Sequence, residues 1–395
     1  MNINSREISK KKFNYLILLT TFINIFISIP LFFIGILKKN ISPFIGALIL
    51  SINAYYFIPY KNSDLYRYYE LMENSKKLKV IFNQQNDLYL EYLVIFIKKI
   101  NAPINLLAFI SCYTCYYYLF KSFNLTIFKE KIYNSKDFVL LFLIYFFMIP
   151  LTAYHGLRFY PGVAVLTYGI ILNYYTDEKK SIIYILISLL IHSSLILPAS
   201  IYLLSKYILR INKNINLNIF IYIAFFIGIF FNHQILVNIL VKFPKIPLDI
   251  KNYLLVYING HFGVEILENK SIVGKIGYYL FYYIRLCIIF LSIKIMTKNK
   301  INNYLKLIII IILLLINLSV FYERFFYSII YIQFLVNSKI LIKKRIFERL
   351  YLLFLCLNSC ILLLMFFRTQ HSNIFNSYIN ILSYNLLSIL YNIFY

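Results

Sequence analysis

Four short polar segments interrupt the apolar runs of this sequence, and they hold ionisable side chains of the types that can do chemistry. They contain Asp64 and Arg67 in "SDLYRYYELME", His155 and Arg158 in "YHGLRFYPG", His192 in "LIHSSLILP", and Glu323 and Arg324 in "FYERFFY". Ionisable groups inside apolar runs are costly and usually mark a site or a partner. The planar guanidinium group of Arg binds phosphate with two parallel hydrogen bonds. Several Arg beside one or two carboxylates therefore suit an anionic lipid-phosphate substrate that needs no metal.

Motifs typical of metal or covalent catalysis are missing from these segments. The sequence shows no HExxH, DxD or paired His there, and no Gly-rich phosphate loop, nucleophile elbow or Ser-x-x-Lys motif. We therefore expect no metal site and no cofactor. Cys112 and Cys115 have the spacing of a redox or zinc pair, but they lie within an apolar run without a second pair or a nearby His. This context favours the packing of buried thiols.

The composition predicts an all-α polytopic integral membrane protein, with one transmembrane domain over residues 1–395. Of the 395 residues, 61% are hydrophobic, which is more than a soluble core can bury. The apolar runs approach twenty residues, so we expect about ten to twelve transmembrane helices. The net charge of +25 comes mostly from basic residues in short loops, which indicates the positive-inside bias and no nucleic-acid partner. The predicted spans are 13–37, 42–60, 102–123, 137–153, 156–175, 217–239, 276–296, 302–321, 325–341 and 348–367, with a last apolar stretch at 373–395.

Loop charge assigns the two sides of the membrane. The short basic loops predicted to be cytoplasmic are 121–136, 177–180, 294–300 and 343–349. The loop 206–213 is also basic, so the segment 181–208 must enter and leave on the same side. This requirement predicts a broken helix or hairpin at His192-Ser193-Ser194. The outward segments are then 61–100, with an interfacial helix at 87–100, together with 154–158, 241–275 and 322–324.

All four polar segments therefore converge on one outward cavity, which favours a joint functional role. Each residue also has a purely structural interpretation. Arg67 and Arg324 can be interfacial anchors, with their stems in lipid and their charged ends in water. Asp64 can cap a helix that starts at Leu65, and His192 can be a hydrogen-bonded core histidine.

The order of these segments resembles a known family. The residues that carry the resemblance are "P-x-x-x-x-DLYRYYE" from Pro59, Arg158 at the start of a later span, "IHSSLILP" inside a broken span, and "YERF" late in the chain. Between about residues 50 and 330 they look like the EpsG/Wzy class of O-antigen and exopolysaccharide polymerases. One departure is Pro161, which precedes the small residues Gly162 and Ala164 and puts the local helix geometry in question.

The resemblance implies a GT-C-like membrane protein of the bacterial inner membrane that polymerises oligosaccharide repeat units on the periplasmic side. The implied partners are undecaprenyl-diphosphate-linked oligosaccharide, the lipid bilayer and a chain-length regulator. The growing chain would leave its lipid diphosphate and be transferred to a sugar of the incoming unit. Cations would stabilise the diphosphate leaving group, and the candidates are Arg67, Arg158 and Arg324. The candidates for deprotonating the acceptor hydroxyl are Asp64, Glu323 and His192. The candidates for contacts with sugars are Tyr66, Tyr69 and His155, although tyrosines at a lipid interface are equally expected.

Three other functions remain open at this point. A flippase or transporter also needs an outward basic cavity, but it usually has an internal repeat, and none is visible. A membrane acyltransferase would need an acidic residue beside His192-Ser193-Ser194, where none is present. An O-antigen ligase is the nearest enzymatic alternative, and the order of the segments separates it only weakly.

Overall fold

The computed structural model describes most of the chain, and its described residues form α-helices and one 3₁₀ turn, without strands. This confirms the all-α prediction. The described residues are 12–21, 25–37, 42–57, 59, 64–73, 88–132, 134–148, 157–176, 179–211, 217–230, 272–296, 301–316, 319–343, 345–381 and 389. The helices are α1 (residues 12–21), α2 (Ile25–Leu37), α3 (Pro43–Tyr55), α4 (Asp64–Glu73), α5 (Leu88–Lys99), α6 (Leu106–Lys129), α7 (Ser135–Met148), α8 (Phe159–Thr176), α9 (Lys180–Ile191), α10 (Ile196–Ile211), α11 (Leu217–Phe230), α12 (Ile272–Ile295), α13 (Asn302–Leu314), α14 (Ser319–Leu341) and α15 (Ile346–Ile381).

The chain divides into two compact units. Unit 1 comprises Met1–Ile196 and Ser359–Tyr395, and unit 2 comprises Leu197–Asn358. Unit 1 is organised around α8, whose residues from Pro161 to Asn173 are all buried. Helices α6 and α9 pack against α8, and α3 packs against α6. Asn173 of α8 donates a hydrogen bond to the hydroxyl of Ser181 at 2.7 Å, which satisfies buried polar groups of two segments.

Unit 2 is organised around α14, where residues 325–338 are all buried. Helix α12 packs against α14, and α13 packs against both α14 and α11. The side-chain amide of Gln333 in α14 donates to the hydroxyl of Ser292 in α12 at 2.8 Å. Burial on all sides makes such a bond necessary, because an unpaired amide in an apolar core is costly.

The helices can be compared by length with the predicted membrane spans. Among the described residues, the segment Lys275–Ile295 is long and apolar enough to cross a membrane. The shorter apolar helices include Pro43–Tyr55 and Asn302–Leu314, each of 13 residues. These two fall within the predicted spans 42–60 and 302–321 but end earlier. The figure of about ten to twelve crossings therefore stays a prediction.

Several predicted boundaries can be compared with the structure. The segment 181–208 is broken as predicted, into α9, the 3₁₀ turn Ser193–Leu195 and α10. The predicted helix at 87–100 is present as α5, and its interfacial location stays a prediction. The predicted outward loop 241–275 lies outside the described residues up to residue 271. The predicted loop at 322–324 is wrong, because α14 begins at Ser319 and continues through it.

Gly228 of α11 provides a test of the packing in unit 2. A Cβ atom at this position would overlap with the backbone carbonyl oxygen of Leu313 in α13, and backbone cannot move aside as a side chain can. We expect Gly228→Ala to lower the thermal unfolding temperature, although Ala is favoured over Gly in a helix by about 1 kcal/mol. The matched control is Gly277→Ala in α12, where a Cβ atom would meet nothing within 4 Å. Equal unfolding temperatures for the two variants in detergent would contradict this packing.

Candidate active site

Helix α4 carries the side chains of "DLYRYYELME" on two opposite faces. Leu65 and Tyr68 are buried, whereas Arg67 and Glu70 are exposed. Residues three positions apart lie on the same face of a helix, so each pair occupies one face. The helix begins at Asp64, one residue before the predicted start at Leu65, and the side chain of Asp64 lies outside the described part of the structure. The inner face therefore holds α4 in place and leaves Arg67 on the outer face.

Arg158 directly precedes α8. Its backbone carbonyl accepts a hydrogen bond from the N–H of Gly162 at 2.9 Å, which is the first bond of the helix. Pro161 lies in the first turn, where backbone N–H groups have no acceptor within the helix. A proline there loses no hydrogen bond and already has a helical φ angle. Pro161 is therefore compatible with the helical geometry of α8, which its position in the sequence had put in question.

Three polar segments of unit 1 meet around Arg158. Its guanidinium carbon lies 5.8 Å from the centroid of the Tyr68 ring in α4, within the range of about 6 Å for a cation–π contact. The next residue, Phe159, meets the His192 ring edge to face, with centroids 5.6 Å apart and an interplanar angle of 80°. We call Tyr68, Arg158, Phe159 and His192 the unit 1 cluster. It joins α4, the start of α8 and the break between α9 and α10.

His192 lies at the break in an extended conformation, with φ −149° and ψ 116°. Its Nδ1 atom accepts a hydrogen bond from the backbone N–H of Ser194 at 3.1 Å and lies 2.7 Å from the Ser194 hydroxyl. A ring nitrogen that accepts from an N–H carries no proton, so the proton of the neutral ring is on Nε2. His192 can therefore donate from Nε2, but it can take up a proton at Nδ1 only by losing this bond. The geometry favours a hydrogen-bond donor over the predicted base.

Gly162 allows the break to approach the start of α8. A Cβ atom at Gly162 would lie 2.7 Å from Cδ1 of Leu195 and 3.3 Å from Cβ of His192. A side chain at residue 162 would require the end of the Leu195 side chain to move and the break at His192 to shift slightly. The absence of a side chain at residue 162 therefore contributes to the position of the His192 ring against Phe159.

Glu323 and Arg324 belong to unit 2 and lie in the N-terminal part of α14. Glu323 is paired with Arg285 of α12, a residue that the sequence analysis did not single out. The Nη2 atom of Arg285 donates to Oε1 of Glu323 at 2.9 Å and to the Tyr327 hydroxyl at 3.1 Å. The pair neutralises the buried charge of Arg285, and Glu323 provides the anion from within the helix that replaces the predicted loop. A signal was present, since Arg285 stands alone in the apolar run "YYLFYYIRLCIIF".

Of the remaining predicted site residues, the structure describes Tyr66, Tyr69 and Arg324. Tyr66 and Arg324 are half-buried. The hydroxyl of Tyr69 is buried without a hydrogen-bond partner in the described part of the chain, so its polar end is not available at the surface. His155 lies outside the described residues.

The first two cysteines agree with the sequence interpretation. Cys112 and Cys115 are buried free thiols, and the sulfur of Cys112 lies 3.7 Å from the carbonyl oxygen of Leu50. The predicted thiol packing is therefore confirmed. In the described ranges, no group of three or more His, Cys, Asp or Glu side chains is arranged to hold a metal ion.

The model of the EpsG family matches residues 58–386. The chain belongs to the EpsG family. The match confirms the resemblance seen in the sequence, and it includes both the unit 1 cluster and the Arg285–Glu323 pair. No protein of curated function and no solved structure matches the chain. EpsG family membership indicates a polymerase-like role in polysaccharide biosynthesis and association with a membrane.

The cap at the break can be tested by replacing His192. Asn has a side-chain oxygen that can accept from the Ser194 N–H, as in ordinary helix caps, whereas Ala has no acceptor. We expect His192→Ala to lower the free energy of unfolding by about 1 kcal/mol and His192→Asn to lower it by less. Thermal unfolding of the purified protein measures both. Equal losses for the two substitutions would show that the Nδ1 bond does not stabilise the break.

Proposed function

We propose that this chain polymerises oligosaccharide repeat units carried on undecaprenyl diphosphate at the periplasmic side of the bacterial inner membrane. In the proposed reaction, a hydroxyl of the incoming unit attacks the anomeric carbon of the growing chain. The bond from that carbon to the diphosphate oxygen breaks, a glycosidic bond forms, and the hydroxyl proton passes to a base. The observation that carries the proposal is the unit 1 cluster of this EpsG family chain, in which Arg158 lies against Tyr68 of α4 and the adjacent Phe159 lies against His192.

Arg158 is suited to the diphosphate leaving group. The group becomes more negative as its bond to the sugar breaks, and a cation already in place stabilises that charge without reorganisation. The Tyr68 ring holds the guanidinium group by a cation–π contact, while the planar fork presents several N–H donors. Arg67 is the second candidate, because it lies on the exposed face of the same short helix as Tyr68.

His192 and Asp64 complete the proposal in unit 1. The bond from Ser194 to Nδ1 of His192 leaves the ring proton on Nε2. This Nε2–H would donate a hydrogen bond to a phosphate or sugar oxygen. Asp64, at the start of α4, would accept the proton of the attacking hydroxyl or pair with an Arg. The sugars would contact Tyr66 and His155. The mechanism uses no metal, and a chain-length regulator is a further proposed partner.

The role of Arg158 can be tested by Arg158→Lys. Lys keeps the charge but lacks the planar fork that binds phosphate with two hydrogen bonds. We expect polymerisation to fall by roughly 10²–10³, seen as a shortened polymer ladder on a gel at matched expression. The control is Arg345→Lys, an exposed residue just before α15. A ladder of normal length from Arg158→Lys would make Arg158 a membrane anchor.

Asp64→Asn separates the roles open to Asp64. Asn caps a helix as well as Asp does, so the substitution would be nearly silent if Asp64 were only a cap. We expect instead that polymerisation is lost while the protein still inserts and folds, because Asn can neither accept the proton nor pair with an Arg. The control is Asp137→Asn in the first turn of α7. A normal ladder from Asp64→Asn would leave "SDLYRYYELME" as a helix start with interfacial tyrosines.

A further inference from the structure

We propose that Arg285 is a positioning residue, which holds the carboxylate of Glu323 ready to bind a sugar hydroxyl of the oligosaccharide substrate. This inference rests on the proposed polymerase function and adds to it a binding group in unit 2. Neither the family match nor the sequence analysis assigns any role to Arg285.

Aromatic rings fix the guanidinium group of Arg285. Its central carbon lies 3.8 Å from the centroid of Phe281, 5.2 Å from that of Phe326 and 5.1 Å from that of Tyr327. The Tyr327 hydroxyl also accepts a hydrogen bond from Nη2. A guanidinium group held on several sides cannot follow a mobile carboxylate. Glu323 must therefore adopt the position that Arg285 dictates.

The start of α14 is fixed beside the pair. The Tyr322 ring lies 4.8 Å from the Tyr282 ring between centroids, and the Tyr282 hydroxyl donates to the carbonyl oxygen of Ile316 at 2.8 Å. These contacts connect α12 to the turn before α14 and to its first residues. These contacts fix the backbone at Glu323, and Arg285 fixes its side chain.

The two members of the pair differ in exposure, which suggests what the pair is for. The side chain of Arg285 is 5% exposed, whereas that of Glu323 is 49% exposed. A buried cation needs an anion beside it, since an unpaired charge in an apolar core is strongly destabilising. The carboxylate has four lone-pair positions and uses one oxygen for Arg285, so its open side can accept a hydrogen bond from a hydroxyl. Hydrogen bonds from hydroxyl groups to carboxylates are short and strong, and sugars present many hydroxyl groups.

A purely structural ion pair would behave differently from a positioned ligand. If the pair only stabilised unit 2, replacing both charges by neutral groups would preserve the function as well as the fold. If Arg285 positions Glu323 for the substrate, the double replacement restores the fold and leaves the function impaired. The comparison of stability with activity in the same variants therefore separates the two roles.

The experiment uses the full-length protein in detergent or nanodiscs. Its substrate is the lipid-linked repeat unit extracted from cells of the source strain that lack this chain. The variants are Arg285→Lys, Arg285→Met, Glu323→Ala and the double variant Arg285→Met with Glu323→Ala. The control is Glu130→Gln in unit 1, where the carboxylate accepts a hydrogen bond from Tyr175 and no role in the site is proposed. Unfolding temperature, kcat and KM are measured for each protein.

We expect Glu323→Ala to lower the unfolding temperature by about 3 °C or more, because it leaves the buried Arg285 unpaired. Arg285→Met should lower it less, since Glu323 can be hydrated, and the double variant should recover most of the loss.

Arg285→Met should raise KM for the repeat unit about tenfold, which corresponds to the loss of one hydrogen bond of about 1.4 kcal/mol. Arg285→Lys should lie between Arg285→Met and the wild type. The double variant should bind as weakly as Glu323→Ala alone, because Arg285 acts only through Glu323.

Three different results would overturn the inference. A normal KM for Arg285→Met, or normal activity of the double variant, would make the pair structural only. Additive changes in unfolding temperature would show that the pair does not exist, and this arm does not depend on any activity. A wild-type protein that forms no polymer from the lipid-linked unit would instead refute the proposed function, and the role of Glu323 would fail with it.

Discussion

One hydrogen bond, from the backbone N–H of Ser194 to Nδ1 of His192, makes the break between α9 and α10 possible. A helix that ends among apolar side chains leaves backbone groups without partners, and each must find one. His192 satisfies such a group and is thereby fixed in orientation. Its ring then supports Phe159, which begins α8 beside Arg158, and Arg158 in turn contacts Tyr68 of α4. The contact that satisfies the backbone at the break therefore also helps to arrange the side chains of the candidate site.

In unit 2, the buried group that needs a partner is a charged side chain. Helix α14 is buried along most of its length, yet charged residues stand near its start. Arg285 neutralises Glu323 from the neighbouring helix, and aromatic rings surround the guanidinium group. Buried ion pairs often stabilise a fold less than apolar residues of the same size would. A pair with one half-exposed member is therefore better explained by what the exposed carboxylate can bind than by stability alone.

The features that the sequence predicted well are those with a local signal. Three polar residues at His192-Ser193-Ser194 interrupt an apolar run, and the helix breaks there. Asp64 precedes an amphipathic segment, and α4 begins at that residue. Arg285 itself stands out in an apolar run, but its pairing with Glu323 has no local signal, because the two residues are 38 positions apart and the contact depends on how two helices pack. For the same reason the sequence predicts a loop at Glu323 and Arg324, since unpaired charges would end an apolar helix. The sequence alone does not separate Tyr68 from Tyr66 and Tyr69, because only the burial of Leu65 and Tyr68 reveals which face of α4 points inward.

The close contact of Gly162 with the break has a consequence for how this chain can diverge. Because Leu195 Cδ1 and His192 Cβ lie so near Gly162, a larger residue at position 162 also displaces its neighbours. The end of the Leu195 side chain must move or position 195 must carry a smaller residue, and the break at His192 must shift slightly. Substitutions in these two segments, about thirty residues apart, are therefore coupled. In related chains, the residue types at these positions should vary jointly, so that a bulky residue at one is matched by a small residue at the other.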